Sequence, residues 1–529
     1  MKQPNFLFII CDQLRADHLG CYGNPVVQTP HIDGLAARGA RFDRAYVAYP
    51  VCMPNRACLM TGRMASDHRG INNGIPLDLE ATTFVDVLAH HGYRTGLIGK
   101  SHLQGYTPLD PMYGYIADDE LTPPPEELQD ALRRSRWTGG GYRIERRIAS
   151  GELAATPYTD GFYGFQHVEL VTRHADFTDG HHLAWAEKQR PDFKTLVGKE
   201  NALPDHRPRG PQAWRTSVPP ELYSTQFIAN RSRAYIEESA HGDQPFFLQI
   251  SFTDPHHPFT PPGKYWDMYD PDDFEVELPY EAHQNPTPPM QWMDEQWQQG
   301  NSARTKTTAR RLGKQQLREA MALTAGMITM VDDEVGRLIE VLKETGQYEN
   351  TVICFNSDHG DYLGDFSLLL KGALPFRSVT DVPMIWSDPT SREGRVTEAL
   401  ASTIDLSATI LDRACLAPYN GMQGQSFMPV IDGADDHHEA VMCEFNDLGA
   451  RLGFERPARV RGIRTANWRF TLYQGEAWGE LYDLATDPRE TNNLWASSDH
   501  ASIKAELTLQ LAHMLAGQMD ESPISRLMA

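Results

Sequence analysis

The sequence predicts an α/β protein: a doubly wound, mostly parallel sheet flanked by helices, followed by a smaller C-terminal subdomain with an antiparallel sheet. Two observations lead to this fold class. Four short apolar runs each end in polar residues, and segments with helical periodicity separate the runs. Continuous apolar runs are typical of strands buried on both faces of a parallel sheet, and strand–helix alternation is typical of doubly wound folds.

The four apolar runs are the predicted central strands. They span residues 6–10, 95–99, 246–252 and 351–355. Polar clusters follow them directly, beginning at Asp12, Lys100, Asp254 and Asn356. Because the ligands of such sheets gather outside the carboxyl ends of the strands, we expect the four clusters to converge.

Two helices are predicted from the pattern between the strands. One spans 83–91 and is ended by Gly92, and a longer one spans 315–345. The longer helix carries an apolar stripe made of Leu323, Met327, Ile328, Val331, Val335, Leu338 and Leu342. A stripe at this spacing indicates a helix that buries one face against the rest of the protein.

Two structural units are expected along the chain. Residues 1–416 form the main domain, interrupted at about 105–219 by a segment rich in Pro, Gly, Trp and Tyr that we interpret as a lid-like insertion. Residues 417–529 form the C-terminal subdomain. It contains antiparallel strands within 460–484, an amphipathic helix over 502–518 and a tail.

Composition narrows the classes of function. With 40% hydrophobic and 23% charged residues the chain is an ordinary folded protein. The formal charge of −22 would repel phosphate backbones and anionic lipid, so nucleic acid is not expected as a partner. No apolar stretch approaches the roughly 18–20 residues of a membrane span, so no membrane association is expected. Seven cysteines, an odd number, do not form a disulfide framework, and we expect a cytoplasmic protein.

The most specific motif lies at residues 52–63, which read Cys-Met-Pro-Asn-Arg-Ala-Cys-Leu-Met-Thr-Gly-Arg. The segment resembles the signature of the sulfatase family of the alkaline phosphatase superfamily: Cys or Ser, any residue, Pro, usually Ser or Ala, Arg, and a Thr-Gly-Arg further on. Asn55 departs from that pattern. The segments around Asp12 and over 481–494 are also similar to the family, so the resemblance covers most of the chain. It implies an alkaline-phosphatase-like fold.

The resemblance further implies that Cys52 is oxidised to formylglycine by a maturase. A hydrated aldehyde is a geminal diol: one hydroxyl attacks sulfur or phosphorus, and the other is later deprotonated to expel the bound oxyanion. The start of the following helix favours an anion at this position. The alternative is that Cys52 is a plain buried thiol, as most lone cysteines are.

Carboxylates at two predicted strand ends are candidate metal ligands. Asp12 and Asp358 offer hard oxygen donors and His359 one imidazole, a set suited to Ca²⁺ or Mn²⁺. The resemblance implies that these three residues bind one divalent metal together with the oxygen of modified Cys52. Gln13 stands where many arylsulfatases carry a second Asp, and it is a candidate carbonyl ligand.

A ring of cationic and polar residues is expected to hold the oxyanion. By resemblance its members are Arg56, Asn73, Lys100, His102, His256 and Lys371. Arg56 would orient the diol, while Lys100 and Lys371 would bind ester oxygens. His102 would deprotonate the diol hemiester, and His256 would protonate the leaving group.

Several neighbouring residues have less specific interpretations. His257 is an alternative to His256 as the acid. Asp361 is expected to support the site through hydrogen bonds. The pairs His90-His91, His181-His182 and His437-His438 lack ligand spacing, and we expect them at the surface or at helix ends.

The hypothesis for function is a formylglycine- and metal-dependent hydrolase of sulfate monoesters with a small-molecule anionic substrate. Lys100 and His102 favour a sulfatase, whereas Gln13 and His359 favour the branch of phosphonate monoester hydrolases and choline-sulfatase-like enzymes. A phosphonate monoester or phosphodiester hydrolase is therefore the nearest alternative. A noncatalytic binding member of the fold is a remote one. A homo-oligomer, dimer or tetramer, is expected, with residues 502–529 as a candidate contact.

Overall fold

The computed structural model describes residues 3–107, 139–205, 210, 212–302 and 309–518. In chain order its strands are β1 (Asn5–Cys11), β2 (Ala40–Phe42), β3 (Ala45–Tyr46), β4 (Arg94–Gly99), β5 (His167–Thr172), β6 (Asp179–Gly180), β7 (Phe246–Ser251), β8 (Arg310–Arg311), β9 (Thr351–Ser357), β10 (Leu368–Leu369), β11 (Met384–Ser387), β12 (Arg395–Thr397), β13 (Ala401–Ser402), β14 (Ala440–Asn446), β15 (Arg459–Thr465), β16 (Trp468–Tyr473) and β17 (Gly479–Asp483).

The helices of the described residues flank these strands. In chain order they are α1 (Pro30–Ala36), α2 (Cys52–Thr61), α3 (Ala65–His68), α4 (Phe84–His90), α5 (Ile144–Ala149), α6 (His181–Gln189), α7 (Ser224–Ser239), α8 (Pro288–Gln298), α9 (Lys314–Glu344), α10 (Arg377–Thr380), α11 (Asp405–Arg413), α12 (Met428–Ile431) and α13 (Ala501–Ala516). The predicted helices at 83–91 and 315–345 correspond to α4 and α9.

The main sheet has the strand order β12-β2-β11-β9-β1-β7-β4-β5-β6. The four strands predicted from the apolar runs, β1, β4, β7 and β9, are neighbours at its centre. β1 pairs in parallel with β7 and with β9, and β4 pairs in parallel with β7. Their carboxyl ends therefore lie along one edge of the sheet. The predicted fold class is confirmed.

Both faces of the sheet are covered. In β1, Leu7 and Ile9 belong to one apolar core, and Phe6, Phe8 and Ile10 belong to the other. Side chains alternate between the faces of a strand, so a continuous apolar run serves two cores at once. Helix α9 packs in the first core, and its predicted apolar stripe is fully buried there.

The C-terminal sheet is an antiparallel meander in the order β14-β15-β16-β17. It confirms the predicted antiparallel strands within 460–484. Leu507 and Leu511 of α13 are buried in the same core as residues of this sheet, such as Ile463 and Phe470. The predicted helix at 502–518 thus covers the meander, and the tail at 519–529 lies outside the described residues.

Part of the segment predicted as a lid-like insertion is built into the main sheet. Strand β5 pairs in parallel with β4, and β6 pairs antiparallel with β5. Val168, Leu170 and Val171 are fully buried. The lid interpretation is therefore wrong for 167–180, because the apolar side chains of β5 fill the sheet face. Residues 108–138 of the same segment lie outside the described residues.

The helices are relevant to membrane insertion and the cysteines to disulfide bonds. Among the described residues, none of the helices combines the length and the apolar character needed to span a bilayer. All seven cysteines lie within the described residues and are unpaired, as the sequence predicts.

Candidate active site

The polar clusters that follow β1 and β9 meet the start of α2 at the strand-end edge of the main sheet. One ligand atom from each of Asp12, Cys52, Asp358 and His359 lies within 4.8 Å of the others. All four residues are buried. The convergence follows from the parallel pairing of β1 and β9, which brings the residues after each strand side by side.

Cys52 is the first residue of α2, and the extended Val51 precedes it. Its Sγ lies 3.1 Å from His359 Nε2, 3.3 Å from Lys371 Nζ and 3.5 Å from Asp12 Oδ1. Burial and Asp12 oppose ionisation, but Lys100, Lys371 and His359 outweigh them and lower the pKa of the Cys52 thiol. The local field therefore stabilises negative charge at this position, as the helix start also does.

Asp358 is held by the arginine of the motif. Arg56 Nε donates to Asp358 Oδ2 at 2.7 Å, and Nη1 donates to Lys100 O at 3.0 Å and to Ser251 Oγ at 2.7 Å. Arg56 Nη2 is buried and has no hydrogen-bond partner in the structure. Arg56 thus connects the ends of β4, β7 and β9 and retains an N–H₂ group for a further acceptor.

Asn55, the departure from the family pattern, has a structural task. Its Nδ2 donates to Asp358 O at 2.6 Å, while its Oδ1 accepts from Tyr49 N at 3.3 Å and Thr403 Oγ1 at 2.9 Å. The amide is completely buried. Because one side chain both donates and accepts here, Asn55 ties α2 to the turn after β9.

Asp12 contacts two cationic or basic groups. Lys100 Nζ forms an ion pair with Asp12 Oδ2, and His174 Nε2 lies 3.3 Å from the same oxygen and 2.8 Å from Lys100 Nζ. Burial alone would raise the pKa of Asp12, but Lys100, His256 and His174 hold it well below its usual range. Asp12 is therefore a carboxylate at neutral pH.

Lys371 lies at the centre of the site. Its Nζ is 2.8 Å from His359 Nε2, 2.9 Å from Gln13 Oε1, 3.1 Å from His256 Nε2 and 3.3 Å from Cys52 Sγ. Three of these four atoms belong to predicted metal ligands. The candidate ligand atoms of Gln13, Cys52 and His359 thus face the same small region around Lys371 Nζ. A set of oxygen ligands with one imidazole fits a divalent cation in this part of the site.

Gln13 is held in place by two residues, His257 and Asp361, whose roles the sequence alone left open. Its backbone N donates to Asp358 Oδ1 at 3.1 Å, and its Nε2 donates to Asp361 Oδ2 at 2.5 Å. The Nδ1 atom of His257 lies 3.1 Å from its amide group. His257 and Asp361 therefore orient Gln13, so that its Oε1 faces Lys371.

The two histidines expected to transfer protons are buried. Burial, together with His174, His257 and Lys371, holds the pKa of His256 well below its usual range. Burial and Lys100 do the same for the pKa of His102, whose Nδ1 has no hydrogen-bond partner in the structure. Both imidazoles are consequently neutral at pH 7.

Nine of the predicted site residues are connected by the contacts above: Asp12, Gln13, Cys52, Arg56, Lys100, His256, Asp358, His359 and Lys371. His102 lies directly beyond β4 with its ring against Tyr106. Asn73 is exposed, and its Oδ1 accepts from Met53 N at 3.1 Å, so it binds the first turn of α2.

His174 was not predicted. Besides contacting Asp12 and Lys100, its ring stacks on His256 with centroids 3.7 Å apart. It follows β5, the strand hidden in the segment interpreted as a lid. The signal in the sequence is weaker than for the other four clusters, because Glu169 interrupts the short run of Val168, Leu170 and Val171 that precedes the polar residues.

His181 and His182 begin α6, so they lie at a helix end as expected, but neither they nor His437 and His438 are exposed. His181 and His182 are buried and hydrogen-bond backbone groups, His181 Nδ1 with Leu170 N and His182 Nε2 with Leu222 O. His437 and His438 contact the buried Asp405. Only His90 and His91 are exposed as expected.

The fold is that of the alkaline phosphatase superfamily. Within it, residues 4–142 and 153–415 match the family model described as Sulfatase, so the chain belongs to the sulfatase family and is a sulfuric ester hydrolase. Residues 373–517 match the model described as N-sulphoglucosamine sulphohydrolase, C-terminal.

Individual relatives are similar over most of their length. The chain is 25% identical to an arylsulfatase of Clostridium perfringens, over 94% of this chain and 91% of that protein. It is 28% identical to the uncharacterized sulfatase YidJ of Escherichia coli, over 96% and 86%. Among solved structures, a phosphonate monoester hydrolase of Agrobacterium radiobacter superposes with a TM-score of 0.75 at 24% identity, over 98% and 97%.

Proposed function

We propose that this chain is a formylglycine- and metal-dependent sulfatase that hydrolyses aryl or small alkyl sulfate monoesters. The observation that carries the proposal is the charge around Cys52. Of the three buried cations, Arg56 and Lys100 pair with the buried Asp358 and Asp12, while Lys371 has no carboxylate among its described contacts and a third buried carboxylate, Asp361, binds Gln13 instead, in a protein of formal charge −22. A buried cation without a carboxylate partner beside Cys52 suits an anionic ester.

A divalent metal, Ca²⁺ or Mn²⁺, fits the donor set. Asp12, Asp358 and His359 would hold it, with Gln13 Oε1 and the oxygen of modified Cys52 as further ligands. When bound, the cation would neutralise charge on the ester oxygens. The aldehyde at position 52 would supply, as its hydrate, the attacking hydroxyl.

The side chains of the chain itself then have separable tasks. Lys100 Nζ and the free Nη2 of Arg56 are buried donors available to nonbridging oxygens. Neutral His102 accepts the proton of the second hydroxyl at position 52. We assign the proton of the leaving group to Lys371 together with His256, because neutral His256 lies 3.1 Å from the Lys371 ammonium.

The first experiment is mass spectrometry of the tryptic peptide 45–56 from protein made in a host with a formylglycine-generating maturase. We expect the mass of an aldehyde or its hydrate at Cys52, and turnover of 4-nitrophenyl sulfate that scales with the modified fraction. The matched sample comes from a host without the maturase. An unmodified cysteine in both hosts, or equal turnover in both samples, would refute the proposal.

Phosphonate monoester or phosphodiester hydrolysis is the second candidate, and Gln13 favours it. A neutral amide at this position leaves the site with less negative charge than a second carboxylate would. Sulfate and phosphonate monoesters each carry one negative charge, so one pocket can accept both. The ratio of kcat/KM for 4-nitrophenyl sulfate and for a 4-nitrophenyl phosphonate monoester, measured on one modified preparation, ranks the two activities.

Four finer assignments are also proposals. Seven unpaired cysteines support a reducing compartment, and we propose the cytoplasm. We propose a homo-oligomer, dimer or tetramer, which light scattering would test. We propose the division into a catalytic domain at 1–416 and a C-terminal subdomain at 417–529. We propose that residues 105 to about 159 set substrate preference, to be tested by exchange with a relative.

A further inference from the structure

A second cluster of ligand atoms lies outside the active site. Asp405 is the first residue of α11, and His437 and His438 precede β14. One ligand atom from each lies within 4.8 Å of the other two. The cluster joins the main domain to the strand that opens the C-terminal meander.

The two imidazoles converge on one carboxylate oxygen. His438 Nε2 lies 2.9 Å and His437 Nε2 3.3 Å from Asp405 Oδ2. The same oxygen accepts from Ser402 N at 2.7 Å, while Oδ1 accepts from Gln425 N at 2.9 Å. Backbone donors thus orient the completely buried carboxylate from behind, as supporting hydrogen bonds orient ligands at metal sites.

His437 supplies an independent observation. Its side chain is only 6% exposed, and its Nε2 has no hydrogen-bond partner although it is aimed at Asp405. A buried polar nitrogen without a partner is unfavourable, and burial of such groups is rare in folded proteins. Asp405 Oδ2 lies 3.3 Å away but forms no hydrogen bond with this nitrogen in the structure. A ligand that accepts the lone pair of His437 Nε2 would satisfy it.

We propose that Asp405, His437 and His438 form a zinc site that fastens the start of α11 to the segment before β14. Two imidazoles and one carboxylate are a ligand set for Zn²⁺ rather than for Ca²⁺ or Mg²⁺. In a tetrahedral site with bonds of about 2.1 Å, donor atoms are about 3.4 Å apart. The 3.3 Å between His437 Nε2 and Asp405 Oδ2 matches that spacing, and the 2.9 Å between His438 Nε2 and the same oxygen would lengthen when the metal binds.

A fourth position is available to solvent. His438 borders a cavity of about 280 Å³, and Ser402 and Gln425, whose backbones hold Asp405, border it as well. Met514 of α13 lines its far side. A water molecule in this cavity completes four-coordination, and the site stabilises the junction of the two sheets.

Zinc titration of the full-length protein tests the proposal. The Asp358→Asn background weakens the active-site donors, so the remaining binding reports on the second cluster. We expect one equivalent of Zn²⁺ and a rise in the thermal midpoint. Replacing His437 with Ala should weaken binding by about 100-fold or more and remove that rise, while sulfatase activity of the otherwise unchanged enzyme persists.

The exposed pair His90 and His91 provides the matched control, because it has the same sequence spacing without a carboxylate. The double variant His90→Ala/His91→Ala should bind zinc as the parent does. Equal binding by the His437→Ala protein, or no binding by the parent, would overturn the proposal. If His437→Ala fails to fold, anomalous diffraction at the zinc edge from crystals of the unsubstituted protein decides: a peak at Asp405 supports the site, and peaks elsewhere only refute it.

Discussion

Two regions of the molecule bury charge in different ways. The active-site charge network, at the edge of the main sheet, consists of Asp12, Asp358, Arg56, Lys100 and Lys371. The C-terminal charge network, in the meander, consists of Arg464, Arg469, Glu480 and Glu490. Every member of both networks is less than 9% exposed, so burial alone does not tell a functional cluster from a structural one.

The balance of charge separates the two. Three cations face two carboxylates in the active-site charge network, and Lys371 contacts neither of them directly. In the C-terminal charge network two arginines face two glutamates. Arg469 contacts Glu480 at 3.2 Å and Glu490 at 3.3 Å and lies over the ring of Tyr482. A buried cation without a carboxylate partner is available to an anionic ligand. In a balanced network each cation is already paired with a carboxylate.

The largest expected effect is a loss of activity caused by a substitution in the active site. Replacing Cys52 with Ala removes the proposed nucleophile and should lower kcat by about 10⁴-fold or more. The urea midpoint should change little, because the position only loses a thiol. Cys415→Ala, at an exposed cysteine, should leave both quantities unchanged. Activity retained by Cys52→Ala would refute the assigned role.

The next effect belongs to the C-terminal charge network. Glu490→Gln leaves Arg464 and Arg469 buried with one carboxylate fewer, and should lower the free energy of unfolding by about 3–5 kcal/mol. Urea denaturation measures it, and kcat per folded molecule should stay at the parent value. Glu398→Gln, which breaks an exposed pair with Arg44, should be nearly neutral. A neutral Glu490→Gln would show that the network does not support the fold.

Removing one cation, Lys371, tests the difference between the two charge networks more closely. Lys371→Met removes the surplus charge and should lower kcat by about 10²- to 10³-fold. Stability should be retained, since Lys371 has no carboxylate partner of its own among the contacts described. The matched control is Lys264→Met at a lysine that is 68% exposed. Loss of stability equal to that of Glu490→Gln would remove the distinction between the networks.

The smallest effect is a pH dependence. Burial opposes ionisation of Glu490, but Arg469 and Arg464 lower its pKa below the ordinary value. A lowered folded pKa stabilises the protein above the unfolded pKa of about 4.3, and this contribution is lost as pH falls through the folded pKa. Below pH ~4.3 the parent should therefore lose stability more steeply than Glu490→Gln, by up to about 1.4 kcal/mol per pH unit. Parallel curves would contradict the shift.

Much of the fold and site was predictable because the informative residues are local in sequence. A strand such as β1 and the polar residues after it, Asp12 and Gln13, form one short motif. Parallel pairing then brings four such motifs together without further information. The antiparallel meander was predictable from alternation between turns for the same reason.

The rest depends on contacts between distant segments. Strand β5 was hidden because the residues before it resemble a loop, and with it His174 was missed. Asp405 and His437 are 32 positions apart, and neither sits in a motif, since Asp at a helix start is an ordinary capping residue. Only the packing of α11 against the segment before β14 makes them neighbours.

The burial of Cys52 means that the proposed oxidation of this residue has to come before folding is complete. Its side chain is 2% exposed, and all ten residues of α2 are buried. An enzyme that modifies Cys52 needs access to its side chain and to the neighbouring residues, and the folded, buried α2 does not give this access. With the proposed function, oxidation of Cys52 competes with folding, and the modified fraction depends on how long residues 52–56 remain unfolded after synthesis. Slower folding, by lower temperature or a weakened core, should raise the yield of active enzyme.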